Sequence, residues 1–454
     1  MSIRNLSNRL SIKLGLDFTT RYTVATKLWA SFSSLVMIGM VANTLSQSEQ
    51  GFYYSFNSMV ALQILVELGL SVVIVQVVSH RMADLVWDPN GSLLGSQSDV
   101  DRVLYILKKL IQWYAMISVV LISGLIYFGT MFLGGIDYQS EVVFWKLPWI
   151  LLALSFCYFF MMASIFPFFE GAGRIEEVAR VRLIGSIISS FAAFSLFFLD
   201  LGLFAPAAIF LFLGITFHVW LASAWRLKTV KLAMNVAKPP GALTWKRDIL
   251  PMQWRIAISW ISGYAIFHLF TPIMLFYHGP ILAGKMGITL AVITGMGTLA
   301  GSWVSTKAPL FGRLISNGEF SALDKLFSRV MRQSLWVAII IALFFLMIIK
   351  LVGLYHPALA IRFLNMDTLV MLCYVSIVNH CIFSMAVYLR AHKNELLLAN
   401  SVFSAALIAL SVIFLGKSYG ANGAVFGYSV VMTFSFLWVR IIFLRQKREH
   451  LIGG

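Results

Sequence analysis

Twelve long apolar runs divide this chain, and they constrain its fold more than any other feature of the sequence. They lie near residues 28–45, 52–79, 110–133, 147–168, 183–199, 203–224, 255–277, 286–305, 335–354, 367–389, 395–416 and 422–443. An α-helix of about 20 apolar residues crosses the hydrocarbon core of a bilayer. Of all residues, 59% are hydrophobic and only 12% are charged, which is far outside the range of soluble domains. The sequence therefore predicts an all-α polytopic membrane protein with about 12 transmembrane helices.

The basic residues alternate between the two sides of these runs. All but five of the 35 Lys and Arg residues fall in the two termini and in every second connection. The exceptions lie on the opposite side, in or next to the other set of connections: Lys146, Lys285, Lys350, Arg362 and Lys417. Cytoplasmic connections carry the excess of Lys and Arg in membrane proteins, so we expect a multi-pass protein of the cytoplasmic (inner) membrane with both termini in the cytoplasm. Topology thus explains the net charge of +16, and we expect no nucleic-acid partner.

The longest connection on the basic side separates two halves of six runs each. We expect an N-terminal six-helix lobe over residues 1–225, a cytoplasmic basic linker over 226–254 and a C-terminal six-helix lobe over 255–454. Similar segments open the second run of each half, QGFYYSFNSMVAL (50–62) and KMGITLAVITGMG (285–297). Repeats with an even number of spans share one orientation, which predicts two lobes around a central cavity.

One carboxylate, that of Glu67, lies in the middle of the second run. If residues 52–79 form one continuous helix, Gln63, Glu67 and Ser71 share a polar stripe. A carboxylate inside a span costs about 2.5 to 3.5 kcal/mol on insertion scales unless it faces protein or water. We therefore expect the stripe to face a polar cavity, where Glu67 either takes part in ion or proton coupling or pairs with a buried cation.

Cysteines and the N-terminus exclude other classes of protein. All three cysteines lie in apolar runs, so we expect neither a disulfide scaffold nor a zinc site. The first 27 residues lack a continuous apolar core with a cleavage site, so we expect no removable signal peptide. No Gly-Lys-Ser/Thr phosphate-binding motif is present, and no cofactor is expected.

Three segments resemble a known family. They are TLSQSEQGFYYSFNSMVALQILVELGLSVVIVQ (44–76), APLFGRLISNGEFSALDKLFSRVMRQ (308–333) and ANGAVFGYSVV (421–431). Together with the twelve-run layout, they resemble the Wzx-type flippases of lipid-linked O-antigen repeat units. These flippases belong to the multidrug/oligosaccharidyl-lipid/polysaccharide exporter superfamily. The long, partly polar connection at 80–109 departs from the pattern.

The resemblance implies a substrate and a mechanism. It implies that an undecaprenyl-pyrophosphate-linked oligosaccharide moves from the inner to the outer leaflet by alternating access between the lobes, for polysaccharide biosynthesis. The implied partners are this lipid-linked oligosaccharide, membrane lipid, a coupling ion (proton or sodium), and polysaccharide polymerase and glycosyltransferases. Such a substrate has an anionic pyrophosphate and a polar glycan, so its path must be wet, electropositive and open sideways to lipid.

Basic residues near the ends of spans are the expected pyrophosphate-binding groups. Lys27 and Arg255 occupy matching positions at the starts of spans 1 and 7, and Arg81 and Lys307 lie at the inner ends of spans 2 and 8. The alternative is that all four are ordinary anchors whose side chains extend to the lipid headgroups.

A second polar stripe lies on span 10. Its members are Ser376, Asn379, His380, Ser384 and Tyr388, at helical spacing. We expect Ser376 and Asn379 to bind substrate and His380 to titrate near neutral pH and couple to a proton gradient. The alternative is hydrogen bonding between helices. In span 8, Gly297 and Gly301 have the GxxxG spacing that predicts close packing of backbones.

Three other functions stay open. A cation-coupled multidrug exporter of the same superfamily calls for an acid in the cavity, and Glu67 is the candidate. A membrane polysaccharide polymerase or glycosyltransferase calls for catalytic residues on a large outer loop, and here the outer loops are short, so we expect no enzyme. A scaffold that assembles polysaccharide enzymes would not need the cavity residues.

Overall fold

The computed structural model describes residues 18–88, 90–135, 142–392 and 396–452. Short 3-10 turns at Ala61–Gln63 and Gly202–Phe204 and a two-stranded hairpin of β1 (Val86–Trp87) and β2 (Leu93–Leu94) interrupt its first helices. These helices are α1 (Phe18–Thr44), α2 (Gln47–Val60), α3 (Ile64–Glu67), α4 (Leu70–Arg81), α5 (Gln97–Gly134), α6 (Lys146–Ala163), α7 (Phe166–Gly171), α8 (Ile175–Phe198), α9 (Ala205–Leu221) and α10 (Ala224–Asn235). A π-helical turn at Trp245–Ile249 then precedes α11 (Leu250–Phe267), α12 (Phe270–Ser305), α13 (Ala308–Ser316), α14 (Phe320–Tyr355), α15 (Pro357–Ala360), α16 (Met366–Ala391) and α17 (Leu398–Ile452).

The described helices account for the twelve apolar runs. Nine segments are long and apolar enough to cross a membrane, and the bent pair Gln47–Glu67 and Leu70–Arg81 makes a tenth. Two segments, Ile256–Ser316 and Leu398–Arg448, have 61 and 51 residues. At about 1.5 Å per residue, each is more than twice as long as the hydrocarbon core is thick. Each therefore holds two of the predicted spans.

Glycines with positive φ interrupt both of these long segments. Gly279 has φ 79° in α12, and Gly420 has φ 60° in α17. The chain turns back at Gly420, because a Cβ added at Gly427 would lie 2.2 Å from Ser411 Oγ. Two residues that far apart in sequence would be separated by roughly 24 Å in a straight helix. The helical hairpin is what allows one segment to supply two spans.

The chain forms two compact units. The described residues of the first lie within Met1–Met37, Gln63–Leu133 and Phe144–Ala257. Those of the second lie within Ile38–Leu62, Gly134–Val143 and Ile258–Gly454. Helix α2 thus belongs to the second unit, together with α12 to α17. The lobes predicted at 1–225 and 255–454 divide the chain by sequence order, and their boundaries stay a prediction.

Inside the second unit, α2 crosses α12 at glycines. A Cβ at Gly51 would lie 2.0 Å from the carbonyl oxygen of Pro280, and one at Gly287 would lie 2.2 Å from Tyr54 Cβ. The buried side chain of Gln50 donates to the carbonyl of Gly284 at 2.8 Å. The two segments that the sequence pairs as equivalent, 50–62 and 285–297, therefore pack against each other.

The glycines that the sequence singled out for close packing behave differently. A Cβ at Gly297 would have no described atom within 4 Å, whereas one at Gly301 would lie 3.2 Å from the ring of Phe383. Among the described residues, neither glycine packs against the backbone of another helix. The prediction of a close GxxxG crossing at these two residues is wrong, because the close backbone approach of α12 lies nearer to its N-terminus, where a Cβ added at Gly284 would lie 2.9 Å from the backbone nitrogen of Gly51.

The second run is not one continuous helix. Helix α3 ends at Glu67, where Leu68 and Gly69 both adopt left-handed backbone angles, with φ 50° and 70°. The segments on either side of this break are bent by 43°. The predicted stripe of Gln63, Glu67 and Ser71 is therefore wrong beyond Glu67, because Ser71 belongs to a new helix with a different axis.

The long connection at 80–109 is folded and docked in the first unit. In its hairpin Val86 pairs with Leu94 and Trp87 with Leu93. The indole N–H of Trp87 donates to the carbonyl of Ala172 at 2.7 Å. The hairpin therefore covers the turn between α7 and α8, where both elements lie on the predicted cytoplasmic side.

Arginines and tryptophans surround this docked hairpin. We call Trp87, Arg174, Glu177, Trp220, Trp225 and Arg226 the arginine–tryptophan cluster. Glu177 accepts from Arg174 at 3.0 Å and from Arg226 at 2.6 Å. The guanidinium of Arg174 lies 5.2 Å from the ring centroids of Trp87 and Trp225. One carboxylate and three indole rings thus hold two cations, which joins the hairpin to α8 and α10.

The predicted linker 226–254 also packs on the first unit. Lys108 and Arg102, both on α5, donate to the carbonyls of Val236 and Pro240 at 2.9 Å. The ring centroids of Trp113 and Trp245 are 4.7 Å apart. The connection is therefore anchored along the first part of α5.

Candidate functional site

Glu67 lies where the second run breaks. The hydroxyl of Tyr114, on α5, donates to Glu67 Oε1 at 3.2 Å, and the Glu67 side chain is half-buried. The left-handed residues that follow keep the carboxylate at the C-terminal end of α3. No Lys or Arg in the described ranges forms a salt bridge with Glu67. The sequence analysis left open that Glu67 pairs with a buried cation; in the described structure its side-chain partner is instead the phenol of Tyr114.

Lys27 lies on the uncovered part of α1. Its side chain and that of Ser34 are exposed on one face, while Leu28 and Leu35 are 64% and 62% exposed on the adjacent face. The opposite face is docked, since the indole N–H of Trp29 lies 3.2 Å from the carbonyl of Ser186 on α8. Helix α1 thus has a polar stripe and an apolar stripe side by side that no described residue of the first unit covers.

Arg81 ends α4 and is half-buried beside two acids. The hydrogen bond from the Ser96 hydroxyl lowers the pKa of Asp99, and the N–H of Thr244 lowers that of Asp248. The positive charge of Arg81 lowers both pKa values further. Arg81 therefore acts on both carboxylates through its charge alone, while Asp99 and Asp248 form their salt bridges with Arg102 and Arg247.

Lys307 and Arg255 are the other two basic candidates. Lys307 is the exposed residue that precedes the first turn of α13 in the second unit. Arg255 lies in α11, but its side chain is outside the described part of the structure. Their role as pyrophosphate-binding groups stays a prediction.

The polar stripe of α16 is largely satisfied by neighbouring helices. Asn379 donates to the hydroxyl of Tyr428 at 2.8 Å, and His380 Nε2 lies 2.9 Å from Ser334 Oγ. Tyr388 donates to Asp324 Oδ1 at 3.0 Å. Ser376 is half-buried and His380 is buried. These bonds fit the reading in which the stripe joins helices, while the substrate and proton roles of Ser376, Asn379 and His380 stay predictions.

Two contacts of this region were not foreseen from the sequence. Tyr114 lies 47 residues from Glu67, and no local spacing signals such a pairing. Asp324 accepts from Tyr388 and forms a salt bridge of 3.1 Å with Lys447. Asp324 precedes the apolar run 335–354 by eleven residues, and no local spacing links it to Tyr388.

Comparison with known proteins identifies which proteins share this fold. No family model and no curated protein matches the chain. An inward-facing multidrug resistance MATE family transporter of the MOP superfamily has a TM-score of 0.64 and 14% identity, with 92% of this chain and 96% of that chain covered. This chain has the fold of the MOP-superfamily transporters.

Other MOP structures agree with this assignment. The lipid II flippase MurJ in an inward closed conformation has a TM-score of 0.59 and 13% identity, with 95% of this chain and 90% of that chain covered. A MOP superfamily transporter from Pyrococcus furiosus has a TM-score of 0.53 and 11% identity, with 94% and 95% covered. The prediction of an all-α polytopic membrane protein is confirmed. The MOP fold is also that of the superfamily that the sequence resembles, and it is shared by a multidrug transporter and a lipid flippase.

Proposed function

We propose that this protein flips a lipid-linked oligosaccharide, with undecaprenyl pyrophosphate as the lipid carrier, across the cytoplasmic membrane for surface polysaccharide biosynthesis. It works by alternating access, with both termini in the cytoplasm and without enzymatic chemistry of its own. The MOP fold supports a transporter, and the sequence resemblance to Wzx-type flippases supports the substrate. Polymerase and glycosyltransferases are the partners that this function implies.

The observation that carries the proposal is the pair of stripes on α1. A lipid-linked oligosaccharide has an apolar tail that stays in the bilayer and an anionic head that needs a cation. The uncovered residues Leu28 and Leu35 fit the tail, while Lys27 and Ser34 on the next face fit the head. A polar stripe on a membrane helix is costly where it meets lipid, so this side of α1 suits an amphiphile better than lipid alone.

A deletion and complementation experiment tests the function. The gene is deleted in its host and restored as wild type or as a Lys27→Ala, Arg255→Ala double variant. The readouts are the lipid-linked oligosaccharide on each leaflet and the surface polysaccharide. We expect the oligosaccharide to accumulate on the inner leaflet after deletion and the wild type to restore export. The double variant should restore at most about a tenth of it, since each charge-assisted bond to a pyrophosphate contributes roughly 1.5 to 3 kcal/mol.

The matched control is Lys285→Ala, which removes a cation from the opposite, sparsely charged side of the membrane. Full export by this variant together with loss in the double variant assigns the effect to the two predicted residues. Full export by the double variant would keep the flippase and discard Lys27 and Arg255. An unchanged lipid-linked pool after deletion would contradict the function itself.

The second candidate is a cation-coupled multidrug exporter, which Glu67 favours. A carboxylate inside a span attracts cationic drugs, and a MATE family transporter shares the fold. In the deletion strain, a lower resistance to cationic drugs with a normal polysaccharide would support this reading over the flippase.

Coupling is assigned to Glu67 ahead of His380. The ring of His380 is already hydrogen-bonded to Ser334 in the interior of the second unit, whereas no Lys or Arg in the described ranges forms a salt bridge with Glu67. We therefore expect His380→Gln, which can still hydrogen-bond to Ser334 but cannot titrate, to retain export in the same assay. Loss of export with normal expression would restore His380 as the coupling residue.

A further inference from the structure

A cavity of about 430 Å³ lies between the docked hairpin, the start of α5 and helix α10. Its lining residues fall in 91–93, 97–104 and 228–236, and all of them belong to the first unit. The volume is within the range of small-molecule sites. Neither the stripes of α1 nor the surroundings of Glu67 include this cavity, so it is separate from the candidate groups described above.

Contacts at both ends of the cavity hold its walls in place. A Cβ added at Gly91 would lie 2.5 Å from the ring of Trp225, so the hairpin turn packs directly on α10. At the other end, Lys108 of α5 donates to the carbonyl of Val236 at 2.9 Å. The cavity is therefore formed before any ligand enters, which lowers the entropic cost of binding.

The polar side chains of the cavity keep hydrogen-bonding capacity for a ligand. Asp101 is half-buried and accepts from Gln97 Nε2 at 2.8 Å. Neither Asp101 nor Lys228 forms a salt bridge with a described residue. With the exposed amide of Asn235, these groups supply donors and acceptors from both α5 and α10.

The charges and the apolar lining select the chemical class of the ligand. Among the described lining residues, Lys228 is the one cation and Asp101 the one acid. A nucleotide, whose phosphates call for several cations, does not fit this balance. A sugar has hydroxyl groups around its ring and C–H groups on its faces, so it fits polar groups that alternate with aliphatic ones. The aliphatic groups are Leu93, Val100, Leu104, Leu232 and Val236.

The position of the cavity determines which part of the proposed substrate can reach it. Leu104, its α5 residue nearest to the apolar run 110–133, precedes that run by six residues, or about 9 Å along the helix. On the predicted topology the cavity therefore lies on the cytoplasmic side, outside the hydrocarbon. The lipid tail of a lipid-linked oligosaccharide stays in the bilayer, whereas its glycan extends into the cytoplasm before transport.

We propose that this cavity binds a sugar of the glycan on the cytoplasmic side before transport, and the inference rests on the proposed function in that the lipid-linked oligosaccharide brings the glycan. Asp101 and Gln97 bind sugar hydroxyl groups from α5, and Lys228 binds them from α10. The hairpin wall belongs to the connection 80–109, which departs from the pattern that the rest of the chain resembles. The cavity is thus a feature particular to this chain, and its role is to select the glycan.

Binding of the lipid-free glycan to the purified protein tests the site. The oligosaccharide is released from the host's lipid-linked pool with mild acid, labelled with a fluorophore at its reducing end and titrated with the full chain in lipid nanodiscs. Fluorescence anisotropy is the readout. We expect saturable binding that unlabelled glycan displaces and undecaprenyl pyrophosphate without sugar does not.

Variants of the cavity locate the binding. Asp101→Ala and Lys228→Ala should each weaken it by about tenfold or more, as expected for the loss of a hydrogen bond to a charged group. Leu232→Trp should abolish it, because the larger side chain fills the cavity from a position that is 47% exposed. The matched control is Lys231→Ala, which removes an exposed cation of α10 that does not line the cavity and should bind like the wild type.

Thermal unfolding of each variant checks that it is folded. Absence of saturable binding by the wild type would overturn the proposal, as would undiminished binding by folded Leu232→Trp and Lys228→Ala. Equal losses for Lys231→Ala and Lys228→Ala would overturn it in favour of a general attraction by charge. Displacement by undecaprenyl pyrophosphate would overturn it in favour of a pyrophosphate-binding site.

Failure of the site and failure of the function give different results. If the cavity binds the glycan as expected but gene deletion leaves the lipid-linked oligosaccharide unchanged, the flippase is wrong and the sugar site stands. If deletion traps the oligosaccharide on the inner leaflet but the cavity variants bind glycan like the wild type, the flippase stands and the sugar site is wrong.

Discussion

Arg226→Ala is expected to lower the free energy of unfolding of the first unit by about 2 to 4 kcal/mol, because it removes a largely buried cation from a carboxylate and two rings. The Arg226 side chain is 13% exposed. It donates to Glu177 and to Ser223 Oγ at 2.6 Å and lies 4.4 Å from the centroid of the Trp220 ring. Glu177 would keep its salt bridge with Arg174. Because the carboxylate is therefore not left without a cation, the loss should not exceed this range.

The matched control for Arg226→Ala is Arg180→Ala, which removes the partner of the neighbouring acid, Glu176. Arg180 bonds Glu176 at 2.9 Å, but the two side chains are 51% and 43% exposed. Exposed pairs contribute little, so the expected loss is at most about 1 kcal/mol. Equal losses for the two variants would contradict the stabilising role of the arginine–tryptophan cluster.

Buried cysteines supply the measurement. Cys157 lies in the first unit and Cys373 in the second, and both are buried. A thiol-reactive fluorogenic dye labels such a cysteine when its surroundings unfold. In a Cys373→Ala, Cys381→Ala background, the temperature at which Cys157 reacts should fall for Arg226→Ala and stay nearly constant for Arg180→Ala.

Gly51→Ala is expected to destabilise the second unit by about 1 to 3 kcal/mol, the usual range for overpacking in a dense core. The added Cβ would lie 2.0 Å from the carbonyl oxygen and 2.6 Å from the carbonyl carbon of Pro280. These are backbone atoms, so no side-chain rotation relieves the clash and α2 must move away from α12. The readout is the temperature at which Cys373 reacts in a Cys157→Ala, Cys381→Ala background.

The control for Gly51 is Gly297→Ala on α12, where an added Cβ would have no described atom within 4 Å. Alanine is a better helix former than glycine, so this variant should be at least as stable as the wild type. If the Gly51→Ala protein were as stable as the Gly297→Ala protein, the close backbone contact between α2 and α12 at Gly51 would be contradicted.

The sequence predicted the membrane helices, because their positions depend on whether each residue is more stable in lipid or in water. The apolar runs and the distribution of Lys and Arg predicted the membrane helices, since both reflect the free energy of placing each residue in lipid or water. Even the two segments that hold double spans were divided correctly, because Lys285 and Lys417 mark the ends of their apolar runs.

The features that depend on distant partners could not be predicted in this way. A single glycine in an apolar run is compatible with a continuous helix, and Leu68 disfavours the conformation that it adopts, so the break after Glu67 had no clear local signal. His380 and Ser334 are 46 residues apart, and one sequence alone does not identify such a pair. Arg226 lies in a connection that the count of Lys and Arg assigns to the basic side, but the rings and the carboxylate that surround it are brought to it by tertiary packing.

The packing of α2 in the second unit also determines when that unit can be completed during synthesis. Gln50 and its acceptor Gly284 are 234 residues apart. A ribosome adds about 5 to 20 residues per second, so α2 is made roughly 10 to 50 s before α12. During that interval the face of α2 around Gly51 lacks its native partner α12, and α2 is exposed to lipid or to the insertion machinery. Biogenesis of this protein therefore includes a waiting period, and the second unit closes only after most of the chain has entered the membrane.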